Sequence, residues 1–332
     1  PEEGGRVRPF PRPDTLPYDR HSPQPFLVAQ RMDALYRLLA EPAELVLVAP
    51  ITALALRVPA RDVVRGRTVH LEVGQTIDRD ALVEQLLAAG YARMPLVEER
   101  GELAVRGGIV DLFPPHRRRP VRIELLGDDV ESIREFDAAS QRSQEKLVHV
   151  AAPPPRELLL DRGLLIARGE EIRARAEAEG AAPREIDQLL DALLRGHLPS
   201  GAEALAPWLA PGLETLFDWL PPGALVAIEE PEACRERLAR FADEAADGHA
   251  AARAAARPAA PPAELLLAPE AVWSALDRLR PVSLERLDVA DDAGAPRLPL
   301  RTADHAELRR ALARARTGDA ALQQLFVKED AG

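Results

Sequence analysis

The sequence predicts an α/β protein that carries a compact α+β unit of antiparallel strands. Three observations lead there. Residues 44–50, Glu-Leu-Val-Leu-Val-Ala-Pro, are a short continuous apolar run stopped by proline, the pattern of a buried strand. Helical segments on either side of it, at 26–39 and 52–56, point to an open α/β sheet. Further on, three strand candidates follow a single helix, which marks residues 74–143 as an α+β unit whose sequential strands are neighbours.

Six prolines, from Pro9 to Pro25, forbid a continuous helix at the start. In 26–39 the apolar residues Phe26, Ala29, Met32, Leu35, Tyr36 and Leu39 fall on one helical face. Residues 69–73 alternate like a half-exposed strand, and Gly74 ends it. Asp78 caps a helix running to Ala89, with Gly90 as its stop. The strand candidates are 92–99, 102–113 with Gly107-Gly108 as a bulge or close backbone approach, and 121–133 with a turn at Gly127-Asp128-Asp129. Pro153-Pro154-Pro155 closes the unit, and 161–193 has the Ala, Glu, Arg and Leu content of helix. A helical turn at 215–220, a second buried strand at 223–228, a helix at 231–252 and a short strand at 265–268 follow. The Ala- and Pro-rich stretch 249–262 reads as a surface connection, and 303–316 as an amphipathic helix in a weakly defined C-terminal segment, 246–332.

The 332 residues make room for about two domains of ~150 residues. Lys and Arg number 43 against 54 Asp and Glu, a net charge of -11, which argues against coating nucleic acid by bulk charge. One cysteine, Cys234, excludes a disulfide framework and a Cys-based zinc cluster. Neither of the two lysines, Lys146 and Lys328, stands between Gly and Ser or Thr, so the chain has no P-loop and cannot hydrolyse ATP by that route. The seven histidines are scattered, without HExxH, and no GxSxG occurs; His21 and His116 read as solvated loop side chains. No catalytic, cofactor-binding or metal-binding residue is therefore assigned. No apolar run approaches the ~18 residues of a membrane span, and a soluble cytoplasmic segment is expected. The chain opens on Pro1 without a signal segment and reads as a fragment of a longer polypeptide.

Two basic features stand out. Arg117-Arg118-Arg119, after Pro114-Pro115, is either an anion contact or an exposed loop. In 102–113, alternation places Leu103, Val105, Gly107 and Ile109 on one face and Glu102, Ala104 and Arg106 on the other. Arg122 emerges from the next strand with Glu124 beside it. Two arginines on adjacent strands make one flat recognition surface for carboxylates, or they form ordinary cross-strand ion pairs with Glu124 or Glu131. Spacing leaves both readings open.

At these residues the sequence resembles a known family. Gly90-Tyr91, the run Gly101-Glu-Leu-Ala-Val-Arg-Gly-Gly-Ile-Val-Asp-Leu-Phe-Pro-Pro115, Arg122-Ile-Glu124, Gly127-Asp128, Glu131-Ser-Ile-Arg134, Phe136-Asp137 and Gln141-Arg-Ser143 resemble the UvrB-like amino-terminal module of the bacterial transcription-repair coupling factors (Mfd). Thr15-Leu-Pro-Tyr-Asp-Arg-His-Ser-Pro23, Arg31-Met-Asp-Ala-Leu-Tyr36, Val48-Ala-Pro50 and Thr215-Leu-Phe-Asp-Trp-Leu-Pro-Pro222 are similar to the same family. The match is dense over residues 10–145, patchy to 245 and weak beyond. UvrB itself carries an aromatic-rich hairpin where this chain has only the short loop 19–25.

The resemblance implies an incomplete helicase-like α/β domain, residues 1–73 and 144–245, into which a small antiparallel α+β domain like UvrB domain 2, residues 74–143, is inserted. It implies that the inserted domain docks UvrA through Arg106, Arg122 and Leu126. Leu126 stands where the family commonly has an aromatic residue, which keeps an apolar contact without a ring to stack. The implied parent is an ATP-dependent DNA translocase that displaces stalled RNA polymerase. ATP, Mg, DNA and the polymerase then act through regions beyond this chain, and the rest of the parent masks the UvrA surface. The alternative is a UvrB-type excision-nuclease subunit or a helicase-like nucleotide-binding protein.

Overall fold

The computed structural model describes residues 6–42 and 45–284. They form a mixed α/β fold with a distinct small α+β part. The expected helix at 303–316 lies outside the described residues.

The first part is built on β1 (Val7–Pro9), α1 (Pro25–Ala40), β2 (Val46–Val48), α2 (Ile51–Ala55), β3 (Val58–Pro59) and α3 (Arg61–Arg67). β1 and β2 pair in parallel across α1. Leu47 turns toward Met32, Leu35 and Phe10 in the core under α1, while Val46 and Val48 face away and are exposed. Residues 44–50 were expected to be buried on both faces. Only one face is covered, because among the described residues β2 has β1 alone as a neighbour. The open α/β sheet is likewise replaced by separate two-stranded pieces.

The small α+β part begins at β4 (Val69–Glu72) and runs through α4 (Arg79–Ala88), β5 (Ala92–Arg93), β6 (Glu102–Arg106), β7 (Ile109–Leu112), β8 (Val121–Leu126), β9 (Asp129–Phe136), β10 (Ser143–Leu147) and β11 (His149–Ala152). Strands β5 to β10 form one six-stranded sheet in the order β10-β9-β8-β7-β6-β5, antiparallel except for the β5–β6 pair. β4 and β11 pair with each other where the chain enters and leaves this part. The Asp78 carboxylate accepts the Ala81 N–H at 2.7 Å and caps α4. Leu82, Val83 and Leu86 of α4 pack on Leu103, Val110, Leu112, Ile123 and Ile133 of the sheet, and Val69, Leu71, Val150 and Ala152 join the same core. One sheet face is thereby covered; on the other, Ala104, Phe113 and Phe136 are buried with Val97 in a second small core, and the rest of that face is partly open to solvent.

The expected strand 102–113 is two strands. Gly107-Gly108 is the turn of the β6–β7 hairpin, not a bulge, and Arg106 pairs with Ile109. Gly107 has a φ of +59°, and a Cβ on Gly108 would lie 2.6 Å from the Leu125 carbonyl oxygen, the close backbone approach expected there. Glycine is required there for both reasons. The hairpin moves Ile109 onto the Arg106 face, opposite to its expected side. Of 92–99 only β5 is strand.

The remainder is largely helical: α5 (Arg162–Ala178), α6 (Pro183–Leu194), α7 (Ala206–Leu209), β12 (Leu213–Glu214), α8 (Leu216–Trp219), β13 (Ala227–Glu229), α9 (Pro231–Ala254), α10 (Pro262–Leu265), α11 (Pro269–Arg278) and β14 (Val282–Leu284). The helical stretch expected over 161–193 is broken between Gly180 (φ +83°) and Pro183, which opens α6. The strand expected at 223–228 shrinks to β13, with Leu225 fully exposed. Residues 265–268 end α10 instead of forming a strand, with a single bridge from Leu266 to Leu56. Nor is 249–262 a surface connection: Ala252, Ala259 and Ala260 are buried, and the Tyr18 hydroxyl donates to the Ala260 carbonyl at 2.9 Å.

Candidate functional site

The face of the six-stranded sheet away from α4 is set by register. Ala104, Asp111, Arg122 and Arg134 lie in one cross-strand row, and Arg106, Ile109, Glu124 and Ser132 in the next. Asp111 is a carboxylate in the apolar run Ile109-Val110-Asp111-Leu112-Phe113, and its side chain is 1% exposed. A charge so buried requires partners. It has two. Arg122 Nε donates to Oδ1 at 2.8 Å and Arg122 Nη2 to Oδ2 at 2.9 Å, a bidentate fork. Arg106 Nη2 donates to Oδ2 at 2.6 Å.

These contacts decide between the two readings of the arginines. Arg106 and Arg122 do not sit on adjacent strands: β7 lies between them and brings Asp111 to both. Their carboxylate partner is Asp111, not Glu124 or Glu131. Glu124 instead accepts from the Ser132 hydroxyl at 2.5 Å and stands 3.8 Å from Arg134. Arg122 is also over the Phe136 ring, 4.7 Å from its centroid, and its Nη1 donates to the Gln141 carbonyl at 3.3 Å. The Asp111 hydrogen bonds raise its pKa more than burial lowers it, so the guanidinium stays charged.

The two arginines therefore differ in what they offer. Arg122 is 13% exposed and spent on the fold, whereas Arg106 is 47% exposed. One of its five N–H donors holds Asp111, which orients the rest toward solvent. Leu126 closes β8 at the Gly127-Asp128 turn and is 71% exposed. Both hairpin turns, at Gly107 and Gly127, lie at the same end of the sheet, where the Leu125 N–H donates to the Gly108 carbonyl at 2.8 Å. The face thus offers one oriented cation at Arg106, a partly exposed one at Arg134, and an apolar tip at Leu126. Asp111 and Arg134 were not singled out from sequence. A lone carboxylate inside an apolar strand run was the signal for Asp111; Arg134 had none beyond its place in register.

Two further expectations change. His116 is buried, not solvated: its ring packs on Tyr36 with centroids 4.7 Å apart, and its carbonyl accepts from Arg37. Burial, with Arg117 and Arg37 nearby, pushes its imidazole down to about 3. In the basic triplet, Arg117 is largely buried and pairs with Glu135 at 2.7 Å, while Arg118 and Arg119 are exposed. Among the described residues no group of three or more His, Cys, Asp or Glu could hold a metal ion, and no helix is long and apolar enough to cross a membrane.

Residues 69–158 match the family described as the UvrB interaction domain. The whole arginine face lies inside that match. The chain is 38% identical over 210 residues to the transcription-repair-coupling factor of Myxococcus xanthus, a stretch that is 61% of this chain and 17% of that protein. It is 31% identical over 273 residues to the transcription-repair-coupling factor of Escherichia coli K12, covering 80% of this chain and 22% of the relative. Against that of Bacillus subtilis 168 the identity is 39% over 136 residues, 41% of this chain and 12% of the relative. The chain therefore spans only 12% to 22% of the length of these curated relatives.

Proposed function

We propose that this chain couples DNA repair to transcription as the UvrA-docking module of a transcription-repair coupling factor. The observation that carries this reading is the Asp111-anchored arginine face with Leu126 at its tip, exposed within the residues that match the UvrB interaction domain. Its work is protein binding, with no bond chemistry in this chain. Arg106 offers a preset guanidinium to a carboxylate of UvrA, Leu126 an apolar contact, and Asp111 with Arg122 holds the platform flat.

In this reading residues 1–73 and 144–245 are the helicase-like scaffold that presents the inserted domain. The parent is an ATP-dependent DNA translocase that displaces stalled RNA polymerase, with ATP, Mg, DNA and polymerase bound outside this chain. Another part of the parent covers the arginine face until the motor engages. The test is capture of purified UvrA by the immobilised chain, wild type against Arg106→Ala combined with Leu126→Asp. Both positions are exposed, so circular dichroism is expected to be unchanged while capture is lost. Full capture by the double variant would refute UvrA docking through this face.

A further inference from the structure

A second cleft, of about 720 Å3, lies between the end of α4 and β5 on one side and α5 and the end of α6 on the other. None of its lining residues belongs to the Arg106–Arg134 face. Its charge departs from that of the chain. Five arginines line it, at 67, 93, 156, 162 and 195, against one carboxylate, Asp161, in a protein whose net charge is -11. The molecule's other main cleft, of about 350 Å3, is lined by four arginines and five carboxylates. Asp161 is already neutralised, since Arg67 Nη2 meets it at 2.7 Å while Arg67 Nη1 donates to the Ala88 carbonyl at 3.1 Å. Arg195 pairs with Asp191 at 2.9 Å at the rim. Arg93 and Arg162 are exposed and form no ion pair among the described residues.

Arg162 is the first residue of α5, where a cation opposes the helix dipole. No acid stands in that first turn, although Asp161 caps the helix just before it. The charge is unfavourable to the helix and adds to a positive field over the cleft. Between the arginines the lining is leucine, with Leu87 and Leu194 exposed.

We propose that this cleft binds an acidic, leucine-bearing peptide segment of a partner protein. Charge complementarity calls for carboxylates or phosphates, and the lining selects between them. A nucleic-acid strand would need aromatic faces on which bases stack. Among the described lining residues the only aromatic ring apart from His197 is Tyr91, which is buried with its hydroxyl donating to the Pro153 carbonyl at 2.9 Å. Leucine side chains between guanidinium groups match a peptide that alternates carboxylates with aliphatic residues. Its seat would bridge the small α+β part and the α5–α6 pair.

The test is an array of short peptides mixing Asp or Glu with Leu, probed with the full chain and followed by fluorescence polarisation of the binders. Arg93→Glu with Arg162→Glu should weaken binding by about tenfold or more, and added salt should weaken the wild type. Glu at the first position of α5 favours that helix, and an unchanged circular dichroism spectrum of the double variant separates a loss of binding from unfolding. The proposal is overturned if no peptide binds, if the double variant binds as well as the wild type, or if a labelled single-stranded oligonucleotide occupies the cleft more tightly than any peptide.

Discussion

Asp111 grips Arg122 through both of its carboxylate oxygens, at 2.8 and 2.9 Å, from a central strand of a sheet whose opposite face packs on α4. The pair turns a buried charge into a rigid base for the exposed arginine beside it. A buried pair of this kind is hard to dismantle from one side, because the abandoned partner keeps its desolvation penalty.

Asp111→Asn is therefore expected to destabilise the chain by about 3 kcal/mol, leaving Arg122 without its bidentate acceptor. Arg106→Ala, at a half-exposed position, should cost under about 1 kcal/mol. Urea unfolding of both variants measures the contrast. The same reasoning makes Arg122→Glu a poor probe of docking, since it places a second carboxylate against Asp111.

The β6–β7 turn makes its own demand. Gly108→Ala drives a methyl to 2.6 Å from the Leu125 carbonyl oxygen, and backbone must move to receive it. A loss of about 1–3 kcal/mol is expected, with the β6–β7 amide protons exchanging faster. Gly66→Ala meets nothing within 4 Å, lies in helix α3, and should be neutral or stabilising.

His116 gives the fold a pH dependence whose sign is fixed. Its folded pKa is pushed down to about 3, below the roughly 6.5 of an unfolded histidine. Between those values the unfolded chain binds the extra proton, so stability is full above pH ~6.5 and is lost as pH falls toward ~3. From pH 7 to pH 5 this residue should remove roughly 2 kcal/mol. His116→Phe keeps a ring against Tyr36 and should flatten that part of the profile. Unfolding free energies of both proteins across this range check it, and equal slopes would contradict the assignment.

Much of the small α+β part was legible in the sequence, for local reasons. The alternation of 69–73 became β4, the Asp78 cap opened α4, and Gly127-Asp128 turned β8 into β9. At Gly107-Gly108 the close backbone approach is met at Gly108, but the bulge is a hairpin turn, because a double glycine suits both and only the pairing of Arg106 with Ile109 separates them. Once that turn was missed, β7 vanished into a longer strand, and Asp111 could not be seen standing between the two arginines. His116 failed differently. A loop position does not reveal that Tyr36, eighty positions earlier, will cover it. Val46 and Val48 failed because a continuous apolar run says what a strand could bury, not which neighbours are there to bury it.

The most direct test is the affinity of purified UvrA for the full chain, measured by titration at two salt concentrations, for the wild type and Arg106→Ala. A docking surface built on that oriented guanidinium predicts binding by the wild type that weakens with salt. It predicts a loss of about tenfold or more in the variant, with a melting temperature lowered by no more than a few degrees. Equal affinity of the two proteins for UvrA, or no binding by the wild type, would contradict it.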